Sequence, residues 1–285
     1  MKRVTNLLLA LVLIVGILSP LGAETKLLIR CDDMGMCHSV NMAAKKLIEK
    51  GVVFSASVMF ACPWYLEAAA ILKAHPEVGV GIHLTLNSEW RDYKWGPVSG
   101  KEAVPTLIDR NGYFWESEED FAKANVKLEE VEKELRAQIE RARTTGLRID
   151  YIDYHMRTAI STPQLRNLVE RLAQEYNLGL SGYFEENDNT IWAVPPHQKQ
   201  STLLNMLDNL EKGKLNLIVI HLGLENPEMN ALIDMNNPDD PYRVSQHRHA
   251  ELKALLSKGF RKKIKKNRIK LVTYRDVVAE PPTAR

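Results

Sequence analysis

Cysteine is scarce in this sequence, with only Cys31, Cys37 and Cys62 in 285 residues. At least one thiol has no mate, so a disulfide framework is excluded, and buried small hydrophobes are a simpler reading than a redox centre. An excess of one charge is also lacking. Lys and Arg number 38 against 36 Asp and Glu, so the composition offers no basic footprint for nucleic acid. Aromatics make up 7%, and Gly (15) and Pro (13) are ordinary in number, which excludes fibrous and disordered classes. Beyond residue 23 no long apolar run remains, so the body of the chain contains no candidate bilayer span.

What is present begins with a leader pattern. Met1-Lys2-Arg3 precedes the apolar run Leu7–Leu18, then Ser19-Pro20-Leu21-Gly22-Ala23, which reads as a secretory signal peptide over residues 1–23 cut before Glu24. The apolar run is shorter than the roughly 20 residues of a bilayer span; the alternative is an uncleaved N-terminal anchor. An exported chain is expected, periplasmic or secreted, with no stable membrane insertion after cleavage. Lys2 and Arg3 account for the whole formal charge of +2, so the chain from Glu24 onward is formally neutral. Residues 24–285 fit one domain.

From Glu24 short branched apolar runs alternate with stretches of helical period, the pattern of an α/β fold with a parallel sheet. Seven strands are expected, at Lys26–Cys31, Val53–Met59, Val78–Leu84, Arg148–Tyr154, Leu178–Tyr183, Leu217–His221 and Ile269–Thr273. Helices are expected at Ser39–Lys50, Pro63–His75, Lys127–Thr145, Thr162–Tyr176, Gln200–Lys212 and His249–Lys266. Such a series fits a barrel or a doubly wound sheet, and either places function at the carboxyl ends of the strands. Two long loops, Asn87–Asn125 and Leu222–Gln246, follow strands. The first carries Trp90, Tyr93, Trp95, Tyr113, Phe114 and Trp115, which read equally as sugar-stacking rings or as a cover for the barrel rim. The Leu128–Ile139 stretch reads as a solvated outer helix packed by one face. The basic run Arg261–Lys266 reads more simply as cations favoured at a helix C-terminus than as an anion site.

Acid and imidazole groups recur at strand ends. Asp32 and Asp33 close the first strand, His83 the third, Asp153 and His155 the fourth, and His221 the sixth. Each taken alone has an ordinary explanation, a cap or a hydrogen-bonded core residue; their convergence on one rim is the signal. Adjacent carboxylates point different ways, so one is able to hold a metal while the other stays free as a base. Two imidazoles with one carboxylate suit a divalent metal with an open position, zinc first, with magnesium, iron, cobalt, nickel and manganese as alternatives. His38 reads as a helix cap, His75 as a helix end, and His197, His247 and His249 as residues in or beside loops.

These pieces resemble the YdjC-like carbohydrate deacetylases, which include chitooligosaccharide deacetylases. The matching segments are Asp32-Asp33-Met34-Gly35 with Ser39-Val40-Asn41, Gly51-Val52-Val53 with Ser55–Met59, Pro63, Gly81–Leu86, Asp153-Tyr154-His155, and His221-Leu222-Gly223 with Arg248 and Glu251-Leu252. The resemblance implies a deformed TIM-like (β/α)7 barrel of one domain and a divalent-metal hydrolase acting on acetylated mono- or oligosaccharides. By position it implies Asp33, His83 and His155 as metal ligands, Asp32 as general base and His221 as the acid for the leaving amine. Arg248, with Trp90 and Trp95, joins the expected substrate contacts. Tyr154, Arg157 and Ala159 stand where the family has Ser and two further histidines, and Leu222 replaces Pro; Arg157 is thus a candidate contact for an acidic, phosphorylated or sulfated sugar, or equally the partner of a nearby carboxylate. Three functions follow: N-deacetylation of sugars, hydrolysis of another acylated glycan such as an O-acetyl ester, or glycan binding without catalysis. The sequence is compatible with a homo-oligomer.

Overall fold

The computed structural model describes residues 24–279, and the expected leader at 1–23 lies outside the described residues. In chain order the elements are β1 (Thr25–Met34), α1 (His38–Glu49), β2 (Ser55–Val58), α2 (Tyr65–Lys73), β3 (Gly79–Leu84), α3 (Glu118–Lys123), α4 (Leu128–Thr144), β4 (Tyr151–Tyr154) and α5 (Pro163–Glu175). They continue with β5 (Gly179–Leu180), β6 (Asn187–Thr190), α6 (Lys199–Met206), β7 (Leu215–His221), α7 (Pro227–Asn230), α8 (Val244–Leu256), α9 (Lys258–Lys266), β8 (Ile269–Val272) and α10 (Tyr274–Ala279). Every strand pair is parallel, in the order β5-β4-β3-β2-β1-β7-β6. β8 lies beside the first half of β1, Thr25–Leu28, and β2 beside its second half, while β7 runs along Lys26–Asp32. Among the described residues no ladder joins β5 to β6, so the structure is a deformed, incompletely closed (β/α) barrel in a single domain, as expected. No described helix is long and apolar enough to cross a membrane.

Two differences from the expected elements have physical causes. β6 is an additional strand whose Asn-Asp-Asn-Thr sequence carries no apolar pattern, because it pairs only with β7 at the edge and remains half exposed. The helix expected over His249–Lys266 is two helices, since Ser257 turns to extended backbone (ψ 149°) and its Oγ caps Phe260 at 3.0 Å. α8 also starts earlier than expected, at Val244, which carries His247 on a helix rather than in a loop. The N-cap of α1 is Cys37 and not His38.

Alternation along the strands divides the molecule into a shell and a lumen. Leu27, Ile29 and Cys31 face the helices and join the large outer core, whereas Leu28 faces inward with Leu217, Val219, Val272, Tyr151 and Tyr274. The inward series continues upward from these residues as Arg30 and Asp32, as Tyr151 and Asp153, and as Val219 and His221. The apolar plug thus closes the amino end of the barrel and the polar groups crowd its carboxyl end. All three cysteines are buried and free, with Cys31 in the shell.

The long Asn87–Asn125 connection is folded against this shell. Trp90, Trp95, Val104, Leu107, Phe114 and Phe121 are buried in the outer core. α4 secures it with polar groups, not only with the apolar stripe read from sequence. Buried Glu134 accepts from the Val98 and Ser99 backbones at 3.0 and 2.9 Å, Glu130 accepts from Thr106 at 2.7 Å, and Gln138 pairs with both backbone groups of Thr85. This inward polar edge makes α4 a clamp on the loop.

Gly81 explains how a tyrosine fits inside so narrow a lumen. A Cβ at this position would lie 2.3 Å from the Tyr151 ring, which is itself fixed by its hydroxyl on Ser57 (2.7 Å) and by stacking on Tyr274 (4.0 Å). Gly81→Ala is therefore expected to destabilise the fold by about 1–3 kcal/mol, lowering the melting temperature by roughly 2–4 °C per kcal/mol in a protein of this size. Tyr151→Leu in the same chain should recover part of that loss. Thermal melts of the single and double variants check this, and an unchanged melt for Gly81→Ala would contradict the packing.

Candidate functional site

The geometry of the site starts from a β-bulge. Along the β1/β2 ladder Cys31 pairs with Ala56 but Met34 pairs with Val58, so β1 holds one extra residue between them. Asp33 takes left-handed backbone there (φ 67°), a conformation that costs a non-glycine residue on the order of 1–3 kcal/mol. In an unbroken strand Asp33 would face the shell opposite Asp32. The bulge turns it back, so both carboxylates line the same cavity.

Asp33 meets two imidazoles. Its Oδ1 lies 3.3 Å from His83 Nε2 and 3.3 Å from His155 Nδ1, and those two nitrogens are 3.3 Å apart. The far nitrogen of each ring is occupied: His83 Nδ1 by Asp153 Oδ1 at 3.0 Å, His155 Nε2 by Glu89 Oε2 at 2.9 Å. In the neutral tautomer that donates to the outer carboxylate, each ring would direct its inner lone pair at one point. Asp33 Oδ1 is buried with no hydrogen-bond partner among the described residues. A tetrahedral ion bound at about 2.0–2.1 Å sets its ligand atoms about 3.3–3.4 Å apart, so the triangle has the dimensions of a divalent-metal site with an open position. A second set of nearby donors, Asp32, His83 and Asp153, fits less well because Arg30 and Ser57 already hold its carboxylates.

The surrounding charges keep the donors in place. Asp33 Oδ2 accepts from Arg248 Nη2 at 2.6 Å, and the Arg248 guanidinium lies between the Trp90 and Trp192 rings at 5.5 and 5.6 Å. Burial opposes ionisation of Asp33, but Arg248 and the two imidazoles outweigh it and hold the carboxyl well below the usual range. Asp32 is gripped by both arms of Arg30, Nε to Oδ1 at 2.7 Å and Nη2 to Oδ2 at 2.8 Å, and this pairing likewise overcomes burial and lowers its pKa. For His155 burial is outweighed by Glu89 and Asp33, which raise its pKa to about 9. His221 moves the other way, lowered chiefly by burial, and its Nδ1 is buried without a partner.

His221 sits opposite Asp32 in the β1/β7 register. Its backbone N–H donates to Glu251 Oε2 at 2.7 Å, and Glu251 Oε1 receives the Nζ of fully buried Lys199 at 2.5 Å. The same ammonium holds the carbonyls of Ile191 and Trp192, each at 2.9 Å. One buried ion pair thus fixes both His221 and the segment carrying Trp192, whose ring is 4.9 Å from the imidazole. The cavity, about 570 Å³, is lined by Asp32, Asp33, His83, His155, His221 and Arg248 at its floor and by Trp192, Asp234, Asp240 and His247 nearer its rim.

Asp32, Asp33, His83, His155, His221, Trp90 and Arg248 of the expected site residues are brought together here. Trp95 is not. It is buried, donates Nε1 to the Asn87 carbonyl at 2.7 Å, and packs edge-on against His155 at 6.2 Å, behind the cavity. Arg157 is also outside it, exposed on a left-handed turn (φ 63°) with its guanidinium 6.0 Å from the Tyr154 ring. Sequence reasoning missed Glu89, Trp192, Asp234 and the role of Arg30. Glu89 lies in a loop, and Trp192 follows the unrecognised β6; only Asp153 and Glu251, already visible in strand-end and downstream motifs, carried a signal.

A model of the family described as "YdjC-like protein" matches residues 26–266. A carbohydrate deacetylase of Brevibacillus brevis is 35% identical over 153 residues, covering 54% of this chain and 57% of that protein, less than two thirds of its length. A carbohydrate deacetylase of Thermoanaerobacter pseudethanolicus is 26% identical over 265 residues, covering 87% of this chain and 97% of the relative. Among solved structures, an Enterococcus faecalis V583 protein whose description proposes cellobiose-phosphate cleavage superposes with a TM-score of 0.71 at 26% identity, covering 90% of this chain and 99% of the other. With the family match extending from the first barrel strand into the last outer helix before β8, the chain belongs to the YdjC-like protein family.

Proposed function

We propose that this protein is a divalent-metal-dependent carbohydrate deacetylase that hydrolyses the acetamide of N-acetylated sugars to the free amine and acetate. The observation that carries the reading is the 3.3 Å triangle of Asp33, His83 and His155, set beside Asp32 and His221 on the floor of a cavity of small-ligand size. The names of the deacetylase relatives support it. Asp33 Oδ1, His83 Nε2 and His155 Nδ1 would hold the ion, for which zinc is the first choice; such an ion polarises a carbonyl oxygen and lowers the pKa of water.

The chain's own groups supply the rest. Asp32, kept ionised by the Arg30 fork, accepts the proton of the attacking water. His221 delivers a proton to the departing nitrogen as the C–N bond breaks. Burial lowers its pKa, so His221 must first take up the proton that it delivers. Trp192, half-buried beside His221, offers a flat face for a pyranose ring. Arg248 is committed to Asp33 and so acts on the ligand set more than on substrate. The leader pattern of residues 1–23 supports an exported enzyme acting on periplasmic or external glycans.

Acetate release from a panel of N- and O-acetylated sugars, with and without chelator, tests the reaction. Release from N-acetyl sugars that stops on chelation and returns with a divalent ion is expected; release from O-acetyl sugars alone would assign an esterase instead. Asp32→Asn should retain the ion by elemental analysis yet lose about 10²–10⁴-fold in turnover, whereas His83→Ala should lose ion and turnover together. Full activity in either variant would refute the assigned roles. Glu89→Gln should weaken metal affinity by roughly 10–100-fold, since it removes the charge that orients His155; metal titration against a competing chelator reads this directly.

A further inference from the structure

A second cavity, of about 470 Å³, lies at the opposite, amino end of the barrel, between α9, β8 and the turn after α1. Its apolar wall is formed by Val52, Phe260, Ile264, Ile269 and Leu271, and Lys50, Arg261, Lys265, Arg268 and Lys270 stand around it. Lys50, Arg261, Lys265 and Arg268 are exposed, and among the described residues none of them makes an ion pair. Lys270 alone is matched, by Glu24 at 3.2 Å.

Helix electrostatics do not account for this cluster. Cations in the last turn of α9, Lys263, Lys265 and Lys266, are favoured by the dipole, but Lys258 and Arg261 sit in its first turn, where a cation is disfavoured and no acid is present. Lys263 is already paired with Asp208. The remaining charges are held close together against their mutual repulsion, around an apolar cleft.

The place where the chain enters the fold supplies an independent observation. Glu24, the residue bonded to Lys270 of the cleft, directly follows residues 1–23, and only Ser19–Ala23 separate it from the apolar run Leu7–Leu18. Those few residues span at most about 20 Å when extended. Were that run to remain in a bilayer as an uncleaved anchor, the cleft would lie within reach of the same surface.

We infer that the α9/β8 cleft is a docking surface for an anionic phospholipid membrane. Phosphate headgroups engage Lys50, Arg261, Lys265 and Arg268, and the apolar wall receives the upper part of an acyl chain. The metal-fitting cavity lies at the far end of β1. From Thr25 to Asp32 the strand rises about 23 Å, so docking leaves the mouth facing away from the bilayer. A Lys or Arg at an anionic surface strengthens binding roughly fivefold.

Vesicle sedimentation with the full chain tests the inference, comparing phosphatidylcholine vesicles with vesicles containing 30% phosphatidylglycerol. Arg261→Glu/Lys265→Glu and, on the opposite wall, Lys50→Glu are measured beside the wild type, and their melting curves report folding. Because the leader is identical in all three proteins, its own membrane affinity cancels in the comparison. The expected result is at least tenfold tighter binding to the anionic vesicles, lost at least tenfold in the double variant, several-fold in Lys50→Glu, and abolished as a preference by 0.5 M salt. Acetate release from soluble substrate should be unchanged in the variants, whichever bond the enzyme cleaves. Equal binding of wild type to both vesicles, or unchanged binding of both variants, overturns the proposal. So does groove-dependent binding to soluble dextran sulfate without a preference for anionic vesicles, which would assign a polyanion.

Discussion

The Arg30 guanidinium inside the barrel is the interaction on which the site depends. It grips Asp32 with two nitrogens, lies 3.0 Å from Asp153, and reaches Ser181 on the β5 side at 2.8 Å. Asp153 in turn fixes the tautomer of His83, so one cation sets both the ionisation of the proposed base and the orientation of a proposed ligand. Removing either side of a buried pair like this leaves an uncompensated charge, at a cost of about 3–5 kcal/mol. Around it four carboxylates, Asp32, Asp33, Asp153 and Glu89, face only two guanidinium groups, those of Arg30 and Arg248. Two negative charges remain. These carboxylates outweigh burial and raise the pKa values of both imidazoles. A divalent cation at the triangle answers the two charges in a single step, and this electrostatic demand agrees with the donor spacing without depending on it.

The second constraint is conformational. Three residues of the site region, Asp33, Met156 and Arg157, have left-handed backbone without being glycine. The Asp33 bulge carries two adjacent carboxylates to one cavity, and the Met156-Arg157 turn ends β4 abruptly just beyond His155. Such strain persists only where surrounding contacts over-determine it. Arg248 on Asp33 and the Glu89–His155–Trp95 packing are those contacts here.

The strand-end acids and histidines were legible from sequence because a parallel barrel brings its carboxyl ends together whatever the loop details. The same logic recovered the fold, since buried two-sided strands leave continuous apolar runs. It failed for β6, whose polar edge strand carries no such run, and consequently for Trp192, whose position depends on it. Glu89 was illegible for another reason: its place beside His155 is created by the loop that α4 clamps, and no local period encodes a contact 66 residues away. The aromatic loop was legible only as two alternatives, and Trp95 and Phe114 follow the covering one, folded inward as core.

Charge totals also mislead in this molecule. Near-equal numbers of acids and bases remove a net footprint, yet they leave the distribution of charge undetermined. The cavity at the carboxyl end is lined by Asp32, Asp33, Glu89, Asp234, Asp239 and Asp240 against Arg243 and Arg248, and both of those cations are bonded to its own aspartates. At the amino end the cleft carries cations with a single acid partner among the described residues, Glu24 on Lys270. The two cavities thus differ in the sign of the charges that line them. Arg157 lies outside the cavity at the carboxyl end, and Arg248, bonded to Asp33 through Nη2, keeps Nε and Nη1 without a partner among the described residues.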